Sequence, residues 1–361
     1  MRVLVAGWIG STNLGDELAL AGLRRLLAPS VASVAAISVA PDATRATHGV
    51  GAVSHAAPYD LLRATRRADA VVFGGGGIVQ DVTSPLNLPY HLSRVRLARW
   101  CGTPVAGIGL GIGGLDTAVG RAMVRRELAG LAGISVRDLA SARLLEEVGV
   151  PGARVASDLA FALDPPEVHP VSGPDRLVVS LRPWSERRSR RPVAAREDPT
   201  PVGQVRALAD ALDRTARRTG LEVRFVALQT DRDDVFHRRV AERMRTAVTF
   251  AAPPLEGLLH EYAAATAALT MRYHGGVAAT LAGVPMVLLS YALKTDALAE
   301  ELGPGARRLG LAPRELASIP EALEGVTTRR DDVLAARERL TARQEGNQAV
   351  LDQLLATAGR G

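Results

Sequence analysis

The chain has 361 residues, 47% of them hydrophobic, a formal net charge of +6 and a single cysteine, Cys101. This length and apolar content can bury a full core and point to two domains rather than one, while the lone cysteine excludes an intrachain disulfide or a cysteine-built zinc site and fits a reducing compartment. The apolar runs are short and glycine-laden, none reaching the roughly 20 residues that cross a bilayer, and 4% aromatic content leaves no aromatic-interleaved basic motif for nucleic acid.

The N-terminal Met1-Arg2-Val3-Leu4-Val5-Ala6-Gly7 reads as a strand running into glycine, without the basic region, apolar stretch and cleavage site of a secretory signal, so a cytoplasmic protein is expected. Residues 3–6, 34–39, 70–73, 104–108 and 134–136 are β-rich runs that alternate with Ala/Leu/Arg-rich helical stretches. That rhythm predicts a parallel sheet covered by helices. Residues 164–175 are rich in proline and polar side chains, after which strand-like runs restart at 177–181, 222–228, 267–271 and 286–289. The boundary is placed there, with residues 1–168 as one α/β domain, 175–327 as the second and 328–361 as a closing helical segment, whole or split. Residues 183–203 are dense in Arg, Pro, Ser and Glu, too polar for core, and read as a mobile lid behind a strand end.

Chemistry-bearing residues gather after the strands. The first strand enters Gly10-Ser11-Thr12-Asn13-Leu14-Gly15-Asp16-Glu17 ahead of a helix. Strand, glycine loop and helix start together form an anion site, but the spacing fits neither a dinucleotide fingerprint nor a Walker loop, and Asp16 and Glu17 would repel a phosphate. The loop therefore binds an anion or lets Asp16 meet sugar hydroxyls, or Asp16 simply caps the helix. Gly74-Gly75-Gly76-Gly77, with Asp81 behind it, and Gly107-Ile108-Gly109-Leu110-Gly111 read as further strand-end loops lining one crevice. Arg137-Asp138 occupies the same class of position, as a cleft group or a surface ion pair.

In the second half, Arg182 ends a strand and offers a bidentate guanidinium. Met271-Arg272-Tyr273-His274-Gly275-Gly276 brings an anion binder, a proton-transfer group and glycine N–H groups to one point. Lys294 is the only lysine among 44 basic residues, and it lies just beyond another strand. In a chain that otherwise uses arginine, this position favours a phosphate- or carboxylate-binding role. No metal motif is present, and no cofactor is expected.

Taken together, residues 10–17, Gly74 to Gly77 with Gln80-Asp81, Ser135-Val136-Arg137-Asp138, Ser180-Leu181-Arg182-Pro183-Trp184, Arg272-Tyr273-His274-Gly275 and Lys294 resemble the polysaccharide pyruvyl transferase family, including the bacterial cell-wall polymer pyruvyl transferases. The resemblance spans residues 1–301 in order. It implies two Rossmann-like domains facing a cleft, glycosyltransferase-B-like, with phosphoenolpyruvate as donor and a pyruvate ketal formed on a hexose or N-acetylhexosamine of a glycan or lipid-linked glycan. Carried over by residue, it implies Arg182, Arg272, Lys294 and Gly275 at the donor and His274, Asp16 and Arg137 as the catalytic set, with Asn13, Gly15, Gly75, Gly76 and Asp81 lining the acceptor side. Where relatives often read Gly-Gln-Gly-Ile-Gly-Pro, this chain has Gly109-Leu110-Gly111-Ile112-Gly113-Gly114, which removes any polar contact from that glutamine.

His274 is open to the role of acid or base. The enzymatic alternative is a nucleotide-sugar-dependent glycosyltransferase of the same architecture. The non-enzymatic alternative is an anionic-glycan or nucleic-acid binder using the arginines, although nucleic acid is not the expected partner. Residues 94–99 and 187–191 are basic clusters that would suit peripheral contact with an anionic membrane, or simply solvated helix faces.

Overall fold

The computed structural model describes residues 1–82, 84–167, 175–184 and 200–359. The expected lid, apart from its two ends, and the basic cluster at 187–191 lie outside the described residues. Strands β1 (Arg2–Ile9), β2 (Ser33–Ser38), β3 (Gly51–Ser54), β4 (Ala70–Val79), β5 (Val105–Ile112), β6 (Ile134–Val136) and β7 (Arg154–Val155) form the first sheet. Strands β8 (Arg176–Ser180), β9 (Glu222–Val226), β10 (Val248–Ala251), β11 (Ala267–Thr270), β12 (Met286–Leu289) and β13 (Ala306–Leu309) form the second. Among the described residues every strand pairing is parallel, with orders β3-β2-β1-β4-β5-β6-β7 and β10-β9-β8-β11-β12-β13.

The first sheet is accompanied by α1 (Leu14–Leu27), α2 (Pro41–His48), α3 (Pro58–Arg67), α4 (Asn87–Trp100), α5 (Ala118–Leu128) and α6 (Leu139–Glu147). The second carries α7 (Val202–Thr219), α8 (Thr230–Ala241), α9 (Leu255–Ala263), α10 (Tyr273–Leu281), α11 (Leu293–Leu302), α12 (Pro313–Ala317) and α13 (Ile319–Thr327). The tail is split into α14 (Arg330–Ala342) and α15 (Gln344–Ala358). Buried apolar strands such as β11 and β12 have no exposed face, as expected when helices cover both sides of a parallel sheet. Among the described residues, no helix is long and apolar enough to cross a membrane.

Both sheets reverse strand order beside their first strand, between β1 and β4 and between β8 and β11. An open parallel sheet receives ligands outside the carboxyl ends at such a switch point. The two switch points are brought together by direct contacts: Leu14 N–H donates to the Leu228 carbonyl at 2.8 Å, Thr12 Oγ1 to Asp231 at 2.6 Å, and Asn13 bridges antiparallel to Gln229. Leu18 of α1 and Ala160 and Phe161 share a buried cluster with α10 residues Val277 and Leu281. The chain then returns to its first half, because Val350, Leu351 and Leu354 of α15 are buried with Val3, Val5 and Ile108 of the first sheet.

The glycine runs differ from the expectation of loops. Gly74 to Gly77 lie inside β4, and Gly107, Gly109 and Gly111 lie inside β5. Their main chains stay paired, Gly74 with Ile108 and Gly76 with Leu110, so the backbone ladder continues where side-chain signals for a strand vanish. Helix α1 also starts at Leu14, earlier than its apolar pattern implies, and its N-cap is Asn13 rather than Asp16.

Candidate active site

Helix α10 opens at the switch point of the second sheet, with Arg272 as its N-cap residue and His274 in its first turn. His274 reaches across to the first half of the molecule. A Cβ on Gly15 would stand 2.1 Å from its Nδ1, so only glycine lets α1 approach the ring. On the other side, His274 Nε2 lies 3.4 Å from Asp158 Oδ2, and Arg137 Nη1 lies 3.5 Å from the same oxygen. Asp158 is 1% exposed. Burial pushes its carboxyl up, but the charges of His274 and Arg137 outweigh that and hold it at about 2. A carboxylate beside an imidazole fixes the ring orientation.

Arg137 follows β6, and its guanidinium lies 3.9 Å from the Tyr273 ring centroid. It is 4% exposed and also faces Asp138 at 3.5 Å. Asp138 caps α6 by accepting from the Ser141 N–H at 2.7 Å. The pair is thus buried in the cleft rather than on the surface. Asp16 sits in the first turn of α1, held by Asn13 Nδ2 at 2.6 Å. Burial raises its carboxyl above the ordinary value, against the pull of His274, Asn13 and Lys294. Gly76, with φ of +82°, passes so near that a Cβ there would be 2.7 Å from Asp16 Oδ1. Glu17 points elsewhere: it accepts from Gly10 N–H and pairs with buried His48 at 2.7 Å.

The cations of the second half differ from one another. Arg272 is engaged by Asp233, through Nε at 3.0 Å and through Nη2, and by Gln229 at 3.2 Å. This partly neutralises a residue that the sequence presents as a free anion binder. Arg182 Nη1 donates to the Tyr291 hydroxyl at 3.0 Å, and Lys294 Nζ lies 5.8 Å from the Tyr291 ring centroid. Burial alone would raise the Tyr291 phenol, yet the charges of Arg182, Lys294 and Arg272 draw it down to about 7. Lys294 is itself held below its ordinary value: Tyr291 opposes the shift, while burial and the fields of Arg182 and Arg137 drive it. Arg137 Nε, Arg182 Nε, His274 Nε2 and Asp158 Oδ2 are buried without a hydrogen-bond partner, four such atoms in one region.

The structure therefore gathers Asp16, Arg137, Arg182, Arg272, His274 and Lys294. Gly275 lies behind them, packed against Thr270 and Tyr262, and Gly75 lines a small cavity with Asp16. Asp81 is not part of this group. Its carboxylate accepts from Asp116 N–H, Thr117 N–H and Thr117 Oγ1 at 2.6–3.0 Å, closing the turn that starts α5. The basic run at 94–99 is also committed: Arg94 covers Tyr90, while Arg96 and Arg99 pair with Glu127. Sequence reasoning passes over Asp158, Asp233 and Tyr291, the counter-groups that tune the cations. Asp158 follows β7, a two-residue exposed strand that no apolar run in the sequence announces.

Asp158 is supported from the far end of the chain. Gln344 Nε2 donates to its carbonyl at 2.6 Å, and Asn347 donates to the Ser157 carbonyl while accepting from Ser135 Oγ. This buried amide network ties α15 to the strand ends that carry Arg137 and Asp158.

Two facing parallel sheets with a returning C-terminal helix define a glycosyltransferase-B-like enzyme architecture. Solved structures agree: Anabaena Alr3699/HepE in complex with UDP-glucose superposes with a TM-score of 0.62 at 14% identity, covering 99% of this chain and 100% of that one. The UDP-GlcNAc 2-epimerase of Neisseria meningitidis bound to UDP-GlcNAc gives 0.63 at 11% identity over 99% and 100%, and Acinetobacter baumannii MurG gives 0.52 at 14% over 97% and 99%. At these identities the likeness is one of fold. No curated protein matches the chain in sequence. The family model described as polysaccharide pyruvyl transferase matches residues 13–292, and the chain belongs to that family.

Proposed function

We propose that the protein transfers the enolpyruvyl unit of phosphoenolpyruvate to a hexose or N-acetylhexosamine of a cell-surface polysaccharide or its lipid-linked precursor, forming a pyruvate ketal and releasing phosphate. The carrying observation is the Arg182–Tyr291–Lys294 group, two cations with a phenol between them, set beside His274 and opposite Asp16. A donor bearing both carboxylate and phosphate needs several cations at short range, and this group supplies them with Arg272 and Arg137 close by. In this reading residues 1–168 take the acceptor, 175–327 the donor, and 328–361 brace the first half.

A proton adds to the methylene carbon of the donor, giving a methyl group and a cationic C2. A sugar hydroxyl adds to C2 and loses its proton; a second hydroxyl then displaces phosphate, closing the ketal, and its proton leaves with phosphate. His274 is oriented by Asp158 for proton transfer, as acid to the methylene or base to the hydroxyl. Asp16, whose carboxyl burial raises above its ordinary value, orients or deprotonates the acceptor. A lipid-linked acceptor would bring the protein to the inner face of the membrane as a peripheral contact.

The test is phosphate release from phosphoenolpyruvate with a panel of lipid-linked or aryl-linked hexoses and N-acetylhexosamines. Acceptor-dependent release is expected, lost by about 10²-fold or more in His274→Ala and strongly reduced in Lys294→Arg. The solved neighbours named with UDP or a UDP-sugar supply the rival donor. Absence of release with every acceptor, combined with a melting-temperature rise on adding a UDP-sugar, would replace this reading with glycosyl transfer.

A further inference from the structure

We infer that Trp8, braced by Tyr90 and His91, is a stacking shelf for a pyranose ring of the acceptor. The inference rests on the acceptor being a sugar, as proposed above, and adds where it sits. Trp8 is the penultimate residue of β1 and Tyr90 lies in the first turn of α4, the helix after β4, so both stand at the carboxyl-end switch point of the first sheet. Trp8 is 38% exposed in a chain with only three tryptophans, and it shares with Asp16, Gly74 and Gly75 a water-sized cavity of about 10 Å³ whose other walls are buried apolar residues such as Val5, Leu20 and Leu159. A partly exposed tryptophan that walls one small cavity together with the residue assigned to the acceptor hydroxyl is placed to hold the same molecule above it.

The shelf is built rather than loose. Trp8 meets Tyr90 and His91 edge-on, with centroids 5.8 and 5.9 Å away, and Tyr90 meets His91 at 4.9 Å. Tyr90 is fixed by a 3.0 Å hydrogen bond between its hydroxyl and His55 Nδ1 and by the Arg94 guanidinium 4.1 Å from its ring centroid. Arg94 is anchored in turn on the carbonyls of Tyr90 and His55, both at 3.1 Å. Burial holds His91 at about 4, so a neutral imidazole backs the indole. A pyranose carries a patch of C–H bonds whose slight positive charge matches the negative face of an indole, and stacking removes that apolar patch from water. The ring edge keeps its hydroxyls free to face Asp16.

The test reads the acceptor alone and in turnover. Methyl glycosides of hexoses and N-acetylhexosamines are titrated against intrinsic tryptophan fluorescence without donor, and acceptor KM is measured at saturating phosphoenolpyruvate. Trp8→Ala should raise acceptor KM about tenfold with donor KM unchanged; Trp8→Phe should stay within about threefold while losing the fluorescence response. A Trp8→Ala enzyme with wild-type acceptor KM, a wild-type protein whose fluorescence ignores every glycoside, or a response that survives in Trp8→Phe would each overturn the shelf. A Trp8-dependent response with no turnover of phosphoenolpyruvate would keep the shelf and remove the donor assignment.

Discussion

The two halves of the cleft share one strand order but hold opposite charge. The first sheet presents Asp16, Asp138 and Asp158 around a single Arg137, whereas the second presents Arg182, Arg272 and Lys294, answered by Asp233 and Tyr291. Topology therefore places a crevice in each half without deciding what enters it, and the side chains at the strand ends give the two sides their different charge. The acid-lined side suits hydroxyls. The cation-lined side suits an anionic donor.

The comparison breaks most severely where the halves touch. Gly15→Ala drives a methyl group into the His274 ring, and a displacement of the order of 1 Å should cost about 10²-fold in kcat. Thermal unfolding of the same variant separates misplacement from misfolding, since a lost fold would lower the melting temperature as well. Removing a cation from the second side should act on the donor: Arg182→Ala is expected to raise the phosphoenolpyruvate KM about tenfold or more while acceptor KM holds. Equal effects on both substrates would mean that the sides are not divided.

The smallest effect concerns pH. Donor charge offsets the cations that draw the Tyr291 phenol down to about 7, so binding raises its pKa and takes up a proton above that pH. Donor affinity should thus fall modestly as pH rises from 7 towards 9. Calorimetry of donor binding in two buffers of different ionisation enthalpy measures the proton directly, and Tyr291→Phe should reduce the uptake, leaving only what Lys294 contributes.

Much of this division is legible in the sequence, because the central strands announce themselves by apolar runs and the cleft groups follow them within a few residues. Arg137 trails β6, Arg182 trails β8 and His274 opens the helix after β11, each at a place the parallel rhythm marks as a crevice. The edge strands β3, β7, β10 and β13 escape, since their half-buried or exposed positions carry little alternation. The glycine runs mislead for another reason: glycine contributes no side-chain signature, so a paired strand and a loop look alike until the partner strand is known. Counter-groups such as Asp158 and Asp233 acquire meaning only through partners distant in the chain, His274 and Arg272 respectively, and no local spacing encodes that.

The returning helix α15 has a consequence for biosynthesis. Its Val350, Leu351 and Leu354 join Leu20 and Leu23 of α1 in closing the core behind β1 and β5, so during translation part of that apolar face stays uncovered until residues 350–354 have been made. The second sheet is complete much sooner after its own first strand appears. The half that is synthesised first is the half whose packing is finished last.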